Sequence, residues 1–430
     1  MSPGATSDMA PGRWSALVWL ALAVFLAMSP WFSAAAILPH LRALWMLTDG
    51  AAAWLTLAVQ LGFVAGAVLS AALNLADRAT PQRLILAGAL LAGVANLGLL
   101  VADGPIFAML LRGLTGAALA LVYPPALKAM SAWFRTGRGV ALGVMVGALT
   151  LGSALPHLVN GLGGANWRAV IVITSLLAAV GGLIAWHVRP GPYQAPAAAF
   201  QPARAWQLLT GGRMGRVTLG YLGHMWELYA LWAWYAAFFS QMWSAHHLPD
   251  PARGAAFATF AVIGIGAIGC YVGGVLGDRW GRARLTVLAL GLSGSCALIL
   301  AGLVGAGAGL PLLLAVSLVW GFWIIADSAQ FSTLASELVD PAYVGTALTA
   351  QLALGFSLTA ASIAVVPVLM RAWGWPGAFV VLALGPLVGA IAMRPLIRTG
   401  SKWGVGQATP PGGAQEPGLG QVITRKNSGG

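Results

Sequence analysis

Apolar runs of about twenty residues recur along the whole chain, separated by short breaks that carry charge, Pro or Gly. A hydrocarbon layer about 30 Å thick takes about 20 helical residues, so the pattern predicts helices that cross a membrane. Cutting the chain at its breaks predicts spans at 14–38, 51–73, 83–101, 105–127, 138–160, 167–187, 216–243, 254–276, 285–305, 310–335, 343–369 and 375–394. The first run, Trp14 to Leu38, exceeds the roughly 7 to 15 residues of a signal-peptide core and lacks an A-x-A-like cleavage site, so it is expected to remain as the first span.

Composition supports this pattern. The 430 residues are 59% hydrophobic with a mean hydropathy of +0.82, and 8% are charged, against about 25% in a soluble domain. A net charge of +12 would suit nucleic acid if it were gathered on one patch, but the arginines stand singly between apolar runs and no nucleic-acid partner is expected. They follow topology instead. With the amino terminus inside, inner segments hold 18 of the 23 Lys and Arg, outer segments hold Arg42, Arg168, Arg253 and Arg371, and Arg112 lies within a span. The positive-inside rule therefore predicts a multi-pass protein of the plasma (inner) membrane with both termini in the cytoplasm.

The stretch from 188 to 215, rich in Pro, Ala and Gly, divides the spans six from six. The expected organisation is a cytoplasmic amino terminus (1–13), a six-helix half (14–187), a central cytoplasmic linker (188–215), a second six-helix half (216–397) and a disordered cytoplasmic tail (398–430). "ARAWQLLTG" within the linker is expected to form one or two helical turns on the membrane surface. The fold class is an all-α integral membrane protein of twelve transmembrane helices.

Between two long apolar runs stands "LGDRWGRARL", residues 276–285, with four charges in the seven residues from Asp278 to Arg284. Sliding the chain by 201 residues sets it on "LADRATPQRL" at 75–84, where Leu, Asp, Arg, Arg and Leu coincide. A second echo sets "GTAL" at 345 on "GVAL" at 139. Each pair falls at the same place in its half, so the halves are a parallel repeat.

On these residues the chain resembles the major facilitator superfamily of secondary transporters, over nearly all of 14–394. The family's loop signature, approximately G-x-x-x-D-R-x-G-R-x-R, is matched by Gly274, Asp278, Arg279, Gly281, Arg282 and Arg284. In the first half Asp77, Arg78 and Arg83 match, whereas Leu73, Thr80 and Pro81 depart from the pattern. A second motif, Arg followed by Gly and small residues in span 4, is matched by Arg112, Gly116, Ala117 and Ala118. The Gly-Pro of many drug/proton antiporters is not met in span 5, where Ala148 follows Gly147. The resemblance implies two six-helix halves, a cavity lined by spans 1, 4, 7 and 10, and spans 2, 5, 8 and 11 at the contact between halves.

The charged loop itself predicts a cytoplasmic latch. Asp278 is expected to face the amino-terminal end of span 5, where the helix dipole favours an anion. Glu337 and Asp340 in the loop after span 10 complement the three arginines Arg279, Arg282 and Arg284. Gate candidates are therefore Asp77, Arg78, Asp278, Arg279, Gly281, Arg282 and Glu337. Glycine lines at Gly139, Gly143 and Gly147, at Gly62, Gly66 and Ser70, and at Gly269, Gly273 and Gly277 allow close helix approach, and the resemblance puts them between the halves.

An ionisable side chain at mid-bilayer costs roughly 2.5 to 3.5 kcal/mol on insertion scales, which makes each one a functional candidate. Arg112 in span 4, His224 and Glu227 one turn apart in span 7, and Asp327 in span 10 are the substrate and proton candidates. Arg112 and Glu227 stand at similar depths in opposite halves and are expected to be able to close on each other; His224 and Asp327 are expected as a titratable pair. Glu227 is the first choice for proton coupling and Asp327 the second. His157 is read as interfacial, and the span 7 rings nearer residue 239 as an interfacial belt.

Cys270 and Cys296 lie inside apolar runs, with no disulfide framework, CxxC spacing or metal-ligand cluster. No G-x-x-x-x-G-K-[ST] loop occurs. No cofactor or metal is expected, and the chain is expected not to be an enzyme. The function expected is secondary active transport of a small organic solute by alternating access, coupled to protons and carried out by a monomer in the lipid bilayer. An integral membrane transferase and a transport-like sensor are the alternatives.

Overall fold

The computed structural model describes residues 10–163, 166–193, 201–340 and 343–399. The expected disordered tail lies outside the described residues from 400 onward. Nine helices among the described residues are long and apolar enough to cross a membrane. One of them, Val344–Thr399, leaves helical geometry at Gly374 (φ 66°, ψ −170°) and so supplies two crossings. Arg13–Ala27 is apolar but shorter, because span 1 breaks after it and resumes as Ser33–Ala36 and Leu38–Trp45. Span 7, Gly212–Ala245, is 34 residues long; His224, Glu227 and its Trp and Tyr residues lower its hydropathy. The helices thus fit twelve crossings.

Local chemistry explains where the spans begin. Thr48, Thr80, Asn166 and Asp250 each accept a hydrogen bond from the backbone N–H three residues on, opening spans 2, 3, 6 and 8. Pro81, Pro105 and Pro251 occupy first helical positions, where no intrahelical N–H is needed. Spans 8 (Pro251–Trp280) and 9 (Arg282–Gly305) are joined by Gly281 alone, at φ 94°, a conformation that strains any residue with a side chain.

Three spans are broken where function is expected. Span 1 leaves the helix between Ala27 and Ser33, around Pro30. Span 4 divides into Pro105–Leu119 and Tyr123–Ser131, ahead of Pro124 and Pro125, and span 10 into Leu310–Ala326 and Ser328–Leu338 at Asp327.

The two halves repeat one packing scheme. Span 2 lies on span 4 as span 8 lies on span 10, and span 3 lies on span 6 as span 9 lies on span 12. Between halves, span 5 (Arg138–Leu162) packs on span 8, and span 2 (Asp49–Ala72) on span 11. The linker helix Pro202–Thr210 spans more than two turns and is pinned to span 11, where Arg204 donates to the Tyr343 hydroxyl at 2.5 Å. Trp206 on this helix stays exposed.

Tertiary packing corrects three expectations. Of the glycine lines, only Gly139, Gly143 and Gly147 face the other half, where added side chains would meet Asp278, Cys270 and Ala267 of span 8. Gly62 and Gly66 instead admit the span 4 backbone, and Gly269 and Gly273 that of span 10, because spans 2 and 8 each present small residues on two faces. His157 is not interfacial: span 5 is enclosed by neighbours, and the imidazole has no accessible surface. The span 7 rings are not a belt either, since Trp232, Trp234, Tyr235, Phe238 and Phe239 are all buried against other spans.

Candidate functional site

The break in span 1 frees backbone carbonyls inside a layer that offers no water to bond them. Arg112 answers this need. Its guanidinium donates to Pro30 O at 2.9 Å, to Ser33 Oγ and Asn96 Oδ1 at 3.1 Å each, and to Trp31 O. Asn96 in turn donates to Thr174 Oγ1 at 3.1 Å and Ser175 Oγ at 2.9 Å in span 6. The planar fork of Arg suits several acceptors at once, which a point-charge ammonium does not.

In the other half, span 7 and span 10 run antiparallel and meet in three polar steps. His224 Nδ1 lies 2.9 Å from Asp327 Oδ1, with both side chains 1% exposed. Trp320 Nε1 donates to Glu227 Oε1 at 2.9 Å, and Ser293 Oγ of span 9 donates to Glu227 Oε2. Tyr235 donates to Ser317 Oγ at 2.6 Å. Asp327 marks the span 10 break, keeping a right-handed helical backbone (φ −90°, ψ −13°) while its carboxylate lies against His224. The imidazole sits in a ring pocket, 6.2 Å from Tyr221 and 5.4 Å from Phe331.

Arg112 and Glu227 do not meet. Each is buried in its own half and bound by residues of that half. Among the described residues no basic side chain pairs with Glu227. His224 and Asp327 are brought together, and the four ionisable groups have at most 1% of their surface accessible. Solvent therefore reaches none of the four in this structure.

On the Arg-rich face, the Asp278 carboxylate occupies the space that a side chain on Gly139 would fill, in the first turn of span 5. Arg282 lies 3.2 Å from Asp278 and 2.8 Å from Glu337, and also donates to Gln330 Oε1 at 3.2 Å. All of Arg282's partners belong to the second half. Asp278 thus reaches across the halves, while Arg282 orients it. Arg279 and Arg78 are exposed, and the Asp77 side chain lies outside the described residues. On the opposite face, Asp49 at the start of span 2 holds Arg42 at 2.9 Å and, across the halves, Arg371 of span 11 at 2.6 Å.

A sequence profile described as the Major Facilitator Superfamily matches residues 20–361. The chain belongs to the major facilitator superfamily. Two solved transporters of known structure share its fold. A bacterial homolog of the human lysosomal transporter Spinster, inward-facing and unoccupied, superposes with a TM-score of 0.66 at 16% identity, covering 92% of this chain and 99% of its own. The superfamily's proton:xylose symporter XylE, bound to 6-bromo-6-deoxy-D-glucose, gives 0.71 at 13% identity, covering 90% and 96%. No curated protein matches the chain. As a superfamily member the protein is a multi-pass membrane transporter.

Several residues of the site escaped sequence reasoning. Gln330 and Tyr221 were legible by spacing, each three residues from a candidate on the same helical face (Asp327 and His224). Ser293 and Trp320 carried no signal, because a membrane Ser commonly bonds its own helix and Trp is common in spans.

Proposed function

We propose that the protein is a proton-coupled secondary active transporter that moves a small organic solute by alternating access. The basic face is cytoplasmic in this reading, at the inner membrane, and one chain suffices. The buried His224–Asp327 pair carries the proposal: it joins the two pore-side spans at a helix break, and its proton can be exchanged only when the closed structure opens. Glu227, the first choice from sequence, is instead held by two donors of its own half, an arrangement suited to fixing spans 7, 9 and 10 together.

The test uses proteoliposomes loaded with a pH-sensitive dye, to which candidate solutes are added. Asp327→Asn should abolish solute-induced proton movement while solute exchange without a gradient persists. Glu227→Gln keeps an oxygen for Trp320 and a polar group for Ser293, so coupling should survive. Loss of coupling in Glu227→Gln with coupling intact in Asp327→Asn would move the proton site to Glu227.

A further inference from the structure

Four rings close the contact between the halves at mid-membrane depth. Trp31 and Phe63 come from spans 1 and 2, Tyr229 and Phe356 from spans 7 and 11. Across the halves Trp31 lies 6.0 Å from Tyr229 and 5.7 Å from Phe356, and Phe63 lies 4.7 Å from Phe356. Within each half Trp31 lies 4.9 Å from Phe63, and Tyr229 lies 5.0 Å from Phe356. None is more than 5% exposed. When the halves part, these faces separate, and each leaves two rings that had been in contact across the halves.

Polar groups without partners stand beside the rings. Gln60 is one turn from Phe63, on the buried stripe of Thr56, Gln60, Phe63 and Ala67. It is fully buried, yet neither its amide nitrogen nor its oxygen has a hydrogen-bond partner. Trp31 Nε1 is likewise buried and unbonded. Leaving a buried amide unmade costs stability, so a sequence that only had to pack would place Leu or Met at position 60. The ring quartet and Gln60 carry no ionised group, and Arg112 and Glu227 are each held within their own half, Arg112 by four acceptors and Glu227 by two donors.

Resting on the transporter reading above, we propose that this box is the solute site and that it takes an uncharged, ring-bearing solute. The ring stacks between the rings of the two halves in place of their mutual contact, at the 4.5 to 7 Å centroid separations such pairs prefer. One polar edge of the solute is read by the donor and acceptor of Gln60 and by the Trp31 N–H. A charged solute would enter with no counter-charge in the box to pair it.

Binding to the purified full-length protein, measured by calorimetry and by melting midpoint without any gradient, tests the proposal. The probes are uracil and glucose as neutral rings, benzoate and benzylammonium as charged rings, and glycerol as an acyclic polyol. Uracil or glucose should bind and raise the midpoint, and which of them does so separates a heterocycle from a sugar. Phe356→Ala should weaken that binding at least tenfold. Gln60→Leu should do the same while raising the midpoint of the ligand-free protein, a combination that a packing residue would not show. Tightest binding by a charged or acyclic probe, no binding by either neutral ring, or unchanged binding in Gln60→Leu each overturns the proposal. Proton-coupled flux of a charged or acyclic solute would sink this inference and leave the transporter reading standing. Neutral-ring binding without coupled flux of any solute would do the reverse.

Discussion

Asp278→Asn should open the basic face of the protein without unfolding it. The Asp278 carboxylate rests against Gly139 in the first turn of span 5, where it faces unbonded backbone N–H groups at a helix amino terminus. A negative charge there contributes about 0.3 to 1 kcal/mol at an exposed site and up to about 2 kcal/mol when partly buried. The side chain is 30% exposed, which puts its contribution near about 1 kcal/mol. The Arg282 pair adds nothing to this sum, because Arg282 and Asp278 belong to the same half and move together. Asparagine keeps the shape and loses the charge, so the closed state should lose about 1 kcal/mol, roughly fivefold in the opening equilibrium, within limits of about 2- to 30-fold. Cys270 reports the change: it is 1% exposed between span 5 and span 10, touching Thr150 Oγ1 at 3.8 Å and Ile325 O at 3.6 Å. With Cys296 replaced by Ser, the rate at which N-ethylmaleimide alkylates Cys270 follows the open population. It should rise about fivefold in Asp278→Asn and little in Glu337→Gln, whose partner is in its own half. An unchanged rate in a well-folded Asp278→Asn protein would refute the latch.

Other perturbations follow from the same contacts. Arg112→Lys cannot serve four acceptors from one ammonium, and leaving the Pro30 and Trp31 carbonyls short of donors should cost about 2 to 4 kcal/mol, read as a lower melting midpoint. Gly143→Ala would drive a methyl group to 2.5 Å from the Cys270 carbonyl oxygen, so it should destabilise the span 5–span 8 contact by about 1 to 3 kcal/mol; Gly302→Ala, with nothing within 4 Å, should be neutral in the same melt. Arg371→Gln removes the clasp on Asp49 across the opposite face and should shift opening of that face by about 0.2 to 1 kcal/mol, an effect that spin-label distances between spans 2 and 11 would show and that high salt would erase. Replacing both cysteines by Ser should leave solute flux intact, since neither thiol is placed in the coupling machinery.

The sequence alone determined the membrane setting, the positions of the spans, the two-fold repeat and the charged loop, because each depends on local composition. An apolar run of about twenty residues has one economical place in a bilayer, and a repeated D-R-x-x-x-x-R spacing is visible before any helix is packed. Helix starts were read from the breaks alone, although Thr48, Thr80, Asn166 and Asp250, whose side chains act within their own turn, carry the same local signal. Partnership was not. Sequence depth set Arg112 opposite Glu227, yet depth says nothing of rotation about the helix axis, and packing turned each toward its own half. The same rotation brought His224 to Asp327, set Gly62 against span 4 instead of span 11, and enclosed His157 and the span 7 rings. The ring box draws one residue each from spans 1, 2, 7 and 11, with Gln60 beside it, and no window along the chain contains it. Which groups share a site is decided by the faces that helices present to one another, and those faces are fixed only when all the helices pack together.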